Sequence, residues 1–447
     1  MSLENNKMYT MPMKKLVFSM SLPIIFSMLI QALYNIVDSM FVSRYSKVTL
    51  DAVSLCYPIQ MALVAISIGS ALSIQALLAK SLGQQDVKKA EKVLAHGLIM
   101  AVFHSLLFLL FGLFGSRAFL SLFSQDKELI HQGVIYMQIC TIFSFGVHIQ
   151  IAYERVMQAT GNAIYNMIMQ ALGALLNIIL DPILIFGMFG LPEMGIAGAA
   201  IATVIGQIFA MGLGIYLTNH HVKEITLHLK DFQLNFSLLK EMYQIAIPAM
   251  CMNSILSIST IFLNSILSSY STTAVSIYSI YYKLQQFIFM AINGISNAII
   301  AIISFNYGAR SIKRIKECIK ISLISTSLIM LVGTMLFELC PTTLLNLFNA
   351  DDTMYQIGIP TLRICALSFL FGGINLIICS CLQALDGSKK SLLLSMLRQM
   401  ILVVPSAYLL STLFGLQAIW WCFIFAEIIT SFFSFFFLKH TLTTLIV

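Results

Sequence analysis

Charge is what this sequence has least of. Only 10% of its 447 residues are Asp, Glu, Lys or Arg, against 59% hydrophobic, whereas soluble domains carry about 25% charged and 45–50% apolar residues. A mean hydropathy of +0.89 excludes the disordered, nucleic-acid-binding and secreted disulfide-scaffold classes. Polar stretches long enough for a separate soluble domain are lacking. The nine cysteines form no Cys-x-x-Cys pair and lie mostly in apolar stretches, so reduced, buried thiols are expected and a metal centre is not. A phosphate-binding P-loop, a zinc-protease His-Glu-x-x-His helix and a Ser/His/Asp set are all missing. Neither an enzyme nor ATP-driven transport within this chain is expected, and no cofactor is implied.

What is abundant is apolar sequence in runs of membrane-crossing length, about 20 residues or more. Twelve such runs extend from 15–43 to 416–438, so an all-α polytopic membrane protein with 12 transmembrane helices is expected. The first run is too long for the apolar core of a signal peptide and reads as a retained helix. Basic residues are retained on the cytoplasmic side. Lys88, Lys89 and Lys92 follow span 2, Lys313, Arg314 and Lys316 follow span 8, Lys389 and Lys390 follow span 10, and Lys439 lies in the tail. Arg44, Lys47, Arg117 and Lys127 fall on the opposite side, and Lys283 and Arg363 within spans. Both termini are therefore expected in the cytoplasm, in a bacterial inner (plasma) membrane.

The polar stretch 218–239, with His220, His221, Lys223, Glu224, Lys230 and Asp231, reads as a solvated cytoplasmic linker between an N-terminal lobe at 1–217 and a C-terminal lobe at 240–447. The halves repeat. An offset of 225 residues carries Pro23 onto Pro248, Gly69 onto Gly294, Gly83 onto Gly308, Ile139-Cys140 onto Ile364-Cys365 and Gln158-Ala159 onto Gln383-Ala384. Six spans per half, an even number, insert both halves in the same direction. Such parallel repeats belong to transporters with a pseudo-two-fold axis along the membrane normal.

Symmetry fails where charge enters the membrane, at a cost of about 2.5–3.5 kcal/mol for an Asp near a helix centre. Asp38 in span 1 corresponds to Leu263, and Asp181 in span 5 to Ser406. Gln31, Tyr34, Asn35 and Asp38 share one helical face, and Gln170, Gly173, Asn177 and Asp181 another. Span 4 adds Tyr136, Glu154 and Gln158; span 6 adds Thr203 and Gln207. Two carboxylates at matching depth in a poorly solvated pocket require a shared proton or a bound cation. Asp38, Asn177 and Asp181 are therefore the expected ion-coupling site, for H⁺ or Na⁺, with Tyr136, Glu154 and Thr203 as further candidates, of which Glu154 lies closer to the cytoplasmic end beside Arg155. Gln31, Tyr34, Asn35, Gln158, Gln170, Asn253, Ser257 and Asn293 are expected to line a substrate cavity, although polar groups in spans 7 and 8 also serve helix packing. Lys283, Glu338 and Arg363 lie toward one side and are candidates to pair; Glu427 has no evident partner.

Several stretches together resemble the multidrug and toxic compound extrusion (MATE) family across essentially the whole chain. They are Leu22-Pro23, Tyr34-Asn-Ile-Val-Asp38, Gly83-Gln-Gln-Asp86, Gln158-Ala-Thr-Gly-Asn162, Asn177-Ile-Ile-Leu-Asp181-Pro182, Gly195-Ile-Ala-Gly198 and Asn306-Tyr-Gly308-Ala-Arg310. The resemblance implies a V-shaped pair of six-helix lobes working by alternating access, and export of drugs in exchange for Na⁺ or H⁺. Its DinF-like branch implies an N-lobe ion site at Asp38, Asn177 and Asp181, with Tyr136 and Glu154 as neighbours and Pro23 as a hinge in span 1. The acidic residues typical of the NorM-like branch have no counterpart between Met250 and Ser265. The expected partners are amphipathic, cationic small molecules and the lipid bilayer, with no nucleic acid, and the chain is expected to act as a monomer. The rivals are a flippase for a lipid-linked or endogenous metabolite and a non-transporting receptor or scaffold.

Overall fold

Apolar side chains on every face, with few glycines or prolines to interrupt them, let most runs close into continuous helices whose backbone groups are satisfied internally. The computed structural model describes residues 6–222, 224–225, 233–348 and 350–444. Of the linker at 218–239, residues 223 and 226–232, including Lys223, Lys230 and Asp231, lie outside the described residues. Among the described residues all regular structure is helical. Ten helices among these residues are long and apolar enough to cross a membrane, or twelve if two bent pairs each count as one span.

Spans 1–3 are Met13–Tyr45, Lys47–Gly83 and Val87–Phe114; span 4 is Lys127–Ile142 plus Phe145–Ala159, bent by 45°; spans 5 and 6 are Ala163–Phe186 and Ile196–His221. Spans 7–9 are Phe236–Ser268, Thr272–Gly308 and Ile312–Leu339; span 10 is Asp352–Ala366 plus Phe369–Ala384, bent by 47°; spans 11 and 12 are Ser388–Phe414 and Leu416–Thr444. The repeat holds to the residue. The offset of 225 superposes the bounds of span 2 on span 8, of span 3 on span 9, and of the short helix Ser116–Ser121 on Pro341–Asn346. It also pairs the left-handed turn residues: Gln85 (φ 61°) with Arg310 (φ 55°), Gly161 (φ 78°) with Asp386 (φ 61°), and Gly190 (φ 85°) with Gly415 (φ 80°).

The chain divides into two compact units, one built on Phe26–Met250 and the other on Lys7–Ile25 with Cys251 onward. Each unit therefore includes the first half of a span that continues into the other, and both crossings lie just past a proline, Pro23 or Pro248. In the first unit, His96 and His104 of span 3 hold the start of span 7. His96 Nε2 accepts from the Asn235 amide at 2.8 Å, and His104 Nε2 lies 3.2 Å from the Tyr243 hydroxyl. In the second unit, the Arg314 guanidinium donates to the carbonyls of Met8 and Met11 at 3.1 and 2.9 Å and anchors the start of span 1.

A glycine permits each approach. A Cβ on Gly69 would sit 2.8 Å from the Met250 backbone nitrogen, and one on the repeat-related Gly294 3.2 Å from that of Ile25. Gly69→Ala is accordingly expected to lower stability by about 1–3 kcal/mol through overpacking. An unchanged thermal midpoint in purified protein would show that span 7 can yield there.

Candidate functional site

Spans 5 and 6 meet almost backbone to backbone. A Cβ on Gly206 would lie 3.0 Å from the Gly173 carbonyl and 3.2 Å from Asn177 Cβ, and one on Gly198 2.5 Å from the Leu184 carbonyl. Small residues allow this closeness in membranes, and it fixes the face of span 5 that carries Asn177 and Asp181. Pro182 follows immediately and offers no amide to the Ile178 carbonyl one turn earlier.

Asp181 is fully buried and Asn177 nearly so; Asn177 Nδ2 donates to Asp181 Oδ1 at 3.3 Å. The half-buried Asp38 of span 1 brings its carboxyl within hydrogen-bonding reach of Asp181. The Tyr34 phenol stands close to both carboxyls and to Cys140. Tyr136 of span 4 is also near Asp38 and accepts a hydrogen bond from Gln60 Nε2 at 2.9 Å, with the Cys140 thiol close by. Thr203 is half-buried on span 6. Gln60 and Cys140 escaped sequence reasoning, because one isolated glutamine and one thiol in apolar runs carry no distinguishing signal.

The cluster has acceptors in excess. Asp38 Oδ1, Asp181 Oδ2 and Asn177 Oδ1 are all buried and meet no donor. Two carboxyls can share a hydrogen bond only if one holds a proton, and a hard cation would serve the same oxygens. Among the described residues no set of three His, Cys, Asp or Glu is grouped to hold a metal. A cation here would thus rely on two carboxylates plus amide, hydroxyl or carbonyl oxygen. That chemistry suits Na⁺ or H⁺.

Glu154 belongs to a different network. Its oxygens accept from Gln158 Nε2 at 3.1 Å and Gln170 Nε2 at 2.8 Å. The chain of contacts continues through Gln150, Gln75 and the buried Arg155, whose guanidinium reaches Gln75 at 3.3 Å and Gln158 at 3.1 Å. At 1.5 Å per residue, Gln170 and Asp181 stand roughly 16 Å apart along span 5, so the two polar clusters are separate. Gln158 is fully buried inside this ladder and Gln170 half-buried. Gln31, Asn35, Asn253 and Ser257 are exposed on their helices, and Asn293 is half-buried. Pro23 is buried within the unbroken helix of span 1.

The expectation that only Lys283 and Arg363 are charged within spans on the basic side is corrected. Arg398 lies in span 11 and pairs with Glu427 of span 12 at 3.4 Å, while Asn375 Nδ2 donates to the other Glu427 oxygen at 2.7 Å. Arg363 lies 3.8 Å from Glu338; Lys283 is exposed and joins neither.

A sequence model of the MatE family matches residues 23–183 and again 248–409, the two halves of the repeat. A multidrug export protein MepA of Staphylococcus haemolyticus (strain JCSC1435) is 24% identical over 423 residues, covering 94% of this chain and 92% of that protein. One from Staphylococcus aureus (strain bovine RF122 / ET3-1) is 25% identical over 419 residues, covering 93% and 91%. In three dimensions the chain is similar to a MOP superfamily transporter from Pyrococcus furiosus, with TM-score 0.91, 21% identity and coverage of 99% and 98%. A crystal structure of MATE in the straight conformation gives TM-score 0.91 at 21% identity, covering 98% of each chain. Matched over both halves, the chain belongs to the MatE family.

Proposed function

We propose that this protein is a secondary active exporter of amphipathic organic cations, working by alternating access and driven by H⁺ or Na⁺ held at Asp38 and Asp181. One observation carries the reading: two membrane-embedded carboxyls from different spans meet, and one oxygen of each, with the amide oxygen of Asn177, is buried without a donor. Charged groups in such a place are costly and mark ion or substrate pathways. The relatives described as multidrug export proteins support the export of drugs. An ion that neutralises the carboxyl pair removes the charge that attracts a cationic substrate. The two ligands therefore compete, which supplies the differential affinity that coupling requires.

Asn177, Tyr136, Tyr34 and Thr203 complete the coupling site. Glu154 braces spans 4 and 5 through the glutamine ladder outside the coupling site, and Pro23, with one helix bond missing, is the hinge. Residues 1–217 form the coupling half and 240–447 the second half, joined by the cytoplasmic segment 218–239. The basic ends of spans 2, 8, 10 and 12 put both termini in the cytoplasm, and a single chain suffices for the cycle.

The test is efflux of a fluorescent organic cation from proteoliposomes, with pH and Na⁺ gradients imposed separately. Flux driven by one gradient is the expected result and identifies the ion. If neither gradient drives flux, the reading fails and lipid-linked substrates are the next to try.

A further inference from the structure

On the membrane face where span 9 begins and span 12 ends, a groove of about 300 Å³ is lined by Lys316, Phe435, Leu438, Lys439, Leu442 and Thr443. Spans 9 and 12 each pack on the second segment of span 10 but barely on one another, which leaves the channel between them open. Phe435, Leu438 and Leu442 repeat at i, i+3 and i+7 and so form one apolar wall. Lys316 stands one turn inside the start of span 9, and Lys439 just over one turn from the end of span 12. The two ammonium groups therefore share the depth of the bilayer interface.

Both lysines are exposed, and neither has an ion-pair or hydrogen-bond partner among the described residues. Nearby Lys390 is different, because it donates to Thr441 Oγ1 at 3.0 Å. Lys313 and Lys320 extend the positive face of span 9, and Glu317 is the acid within that stretch.

We propose that this groove binds an anionic phospholipid, its phosphate between Lys316 and Lys439 and one acyl chain along Phe435, Leu438 and Leu442. A lysine on the rim of a cytoplasmic face needs no such wall to remain solvated. Two unpaired cations at one depth, flanking an apolar channel open to the bilayer, match both parts of a charged lipid. Basic recesses between spans are where anionic headgroups are held.

The experiment exposes the full-length protein in neutral detergent to phosphatidylglycerol or phosphatidylcholine and counts retained lipid by native mass spectrometry. Phosphatidylglycerol is expected to be retained over phosphatidylcholine. Each of Lys316→Gln and Lys439→Gln should weaken retention about fivefold and the double variant about 25-fold, in line with the attraction of one lysine to an anionic surface. Lys389→Gln, at an exposed lysine away from the groove, should leave retention unchanged. Equal retention by the double variant and the native protein overturns the proposal. So does displacement of the lipid by millimolar inorganic phosphate, which would mark a simple anion site. Both lysines are solvent-facing, so the variants should fold normally, and size-exclusion profiles check that they do.

Discussion

Asp38→Asn should slow gradient-driven export of an organic cation about 10–100-fold while leaving the protein folded. The substitution preserves shape but removes the negative charge and the ability to hold a proton. A hydrogen bond or ion contact to a charged group is worth about 1.5–3 kcal/mol, and each 1.4 kcal/mol is tenfold in binding, hence the range. Asp181→Asn should act alike, since its carboxyl faces Asp38 and keeps one oxygen without a donor. Glu154→Gln is the informative contrast. Both Glu154 oxygens already accept amide hydrogens, so this change should disturb packing in the ladder yet leave the ion dependence of flux in place. Initial efflux rates under an imposed gradient, alongside thermal midpoints, separate the two effects. Wild-type flux in Asp38→Asn would remove that residue from the mechanism; loss of ion dependence in Glu154→Gln would extend the coupling site across both clusters.

How much could be read from the chain alone differs by level. The spans were legible because continuous apolar length is decisive in a bilayer, and the repeat because Pro23/Pro248, Gly69/Gly294 and Gly83/Gly308 mark turns and close approaches that both halves need. The loop conformations go further than the sequence does. Asp386 occupies a left-handed position where the first half uses Gly161, so composition alone hides the equivalence. The pairing of Asp38 with Asp181 follows from two polar faces at equal depth, which helical periodicity exposes. Cys140 and Gln60 have no such pattern. For Glu154 the spacing shows a place nearer the cytoplasmic end, beside Arg155, but not its partners, because these depend on how Gln158 of span 4 and Gln170 of span 5 turn toward it. The swap of the first halves of spans 1 and 7 between units was invisible too, since it rests on His96, His104 and Arg314, polar residues whose partners lie far away in sequence.

The pair Arg398–Glu427 shows why local pattern reading stops short, and it yields the largest stability effect. Span 11 carries a π-helical stretch at Leu397–Val403, whereas the repeat-related stretch of span 5 is α-helical. One extra residue per turn rotates the helix locally, so Arg398, the counterpart of Gly173, faces Glu427, the counterpart of Ala202. Neither charge has an analogue in the first half, and both side chains are mostly buried, at 19% and 14% exposed. Removing one partner leaves the other charged and uncompensated. Arg398→Met or Glu427→Met alone should therefore cost about 3–5 kcal/mol, consistent with about 2.5–3.5 kcal/mol for a lone Arg at a helix centre. The double variant Arg398→Met/Glu427→Met should recover most of that loss, because an apolar pair fits the same space without stranded charge. Unfolding in SDS from bicelles measures all three, and a coupling energy near zero in the double-mutant cycle would mean the charges act independently. Deleting one residue within 399–403 is a sharper version: restored α-helical winding turns Arg398 by about 100° relative to the rest of span 11, away from Glu427. The deletion should then behave like Glu427→Met in stability even though both charged residues are still present.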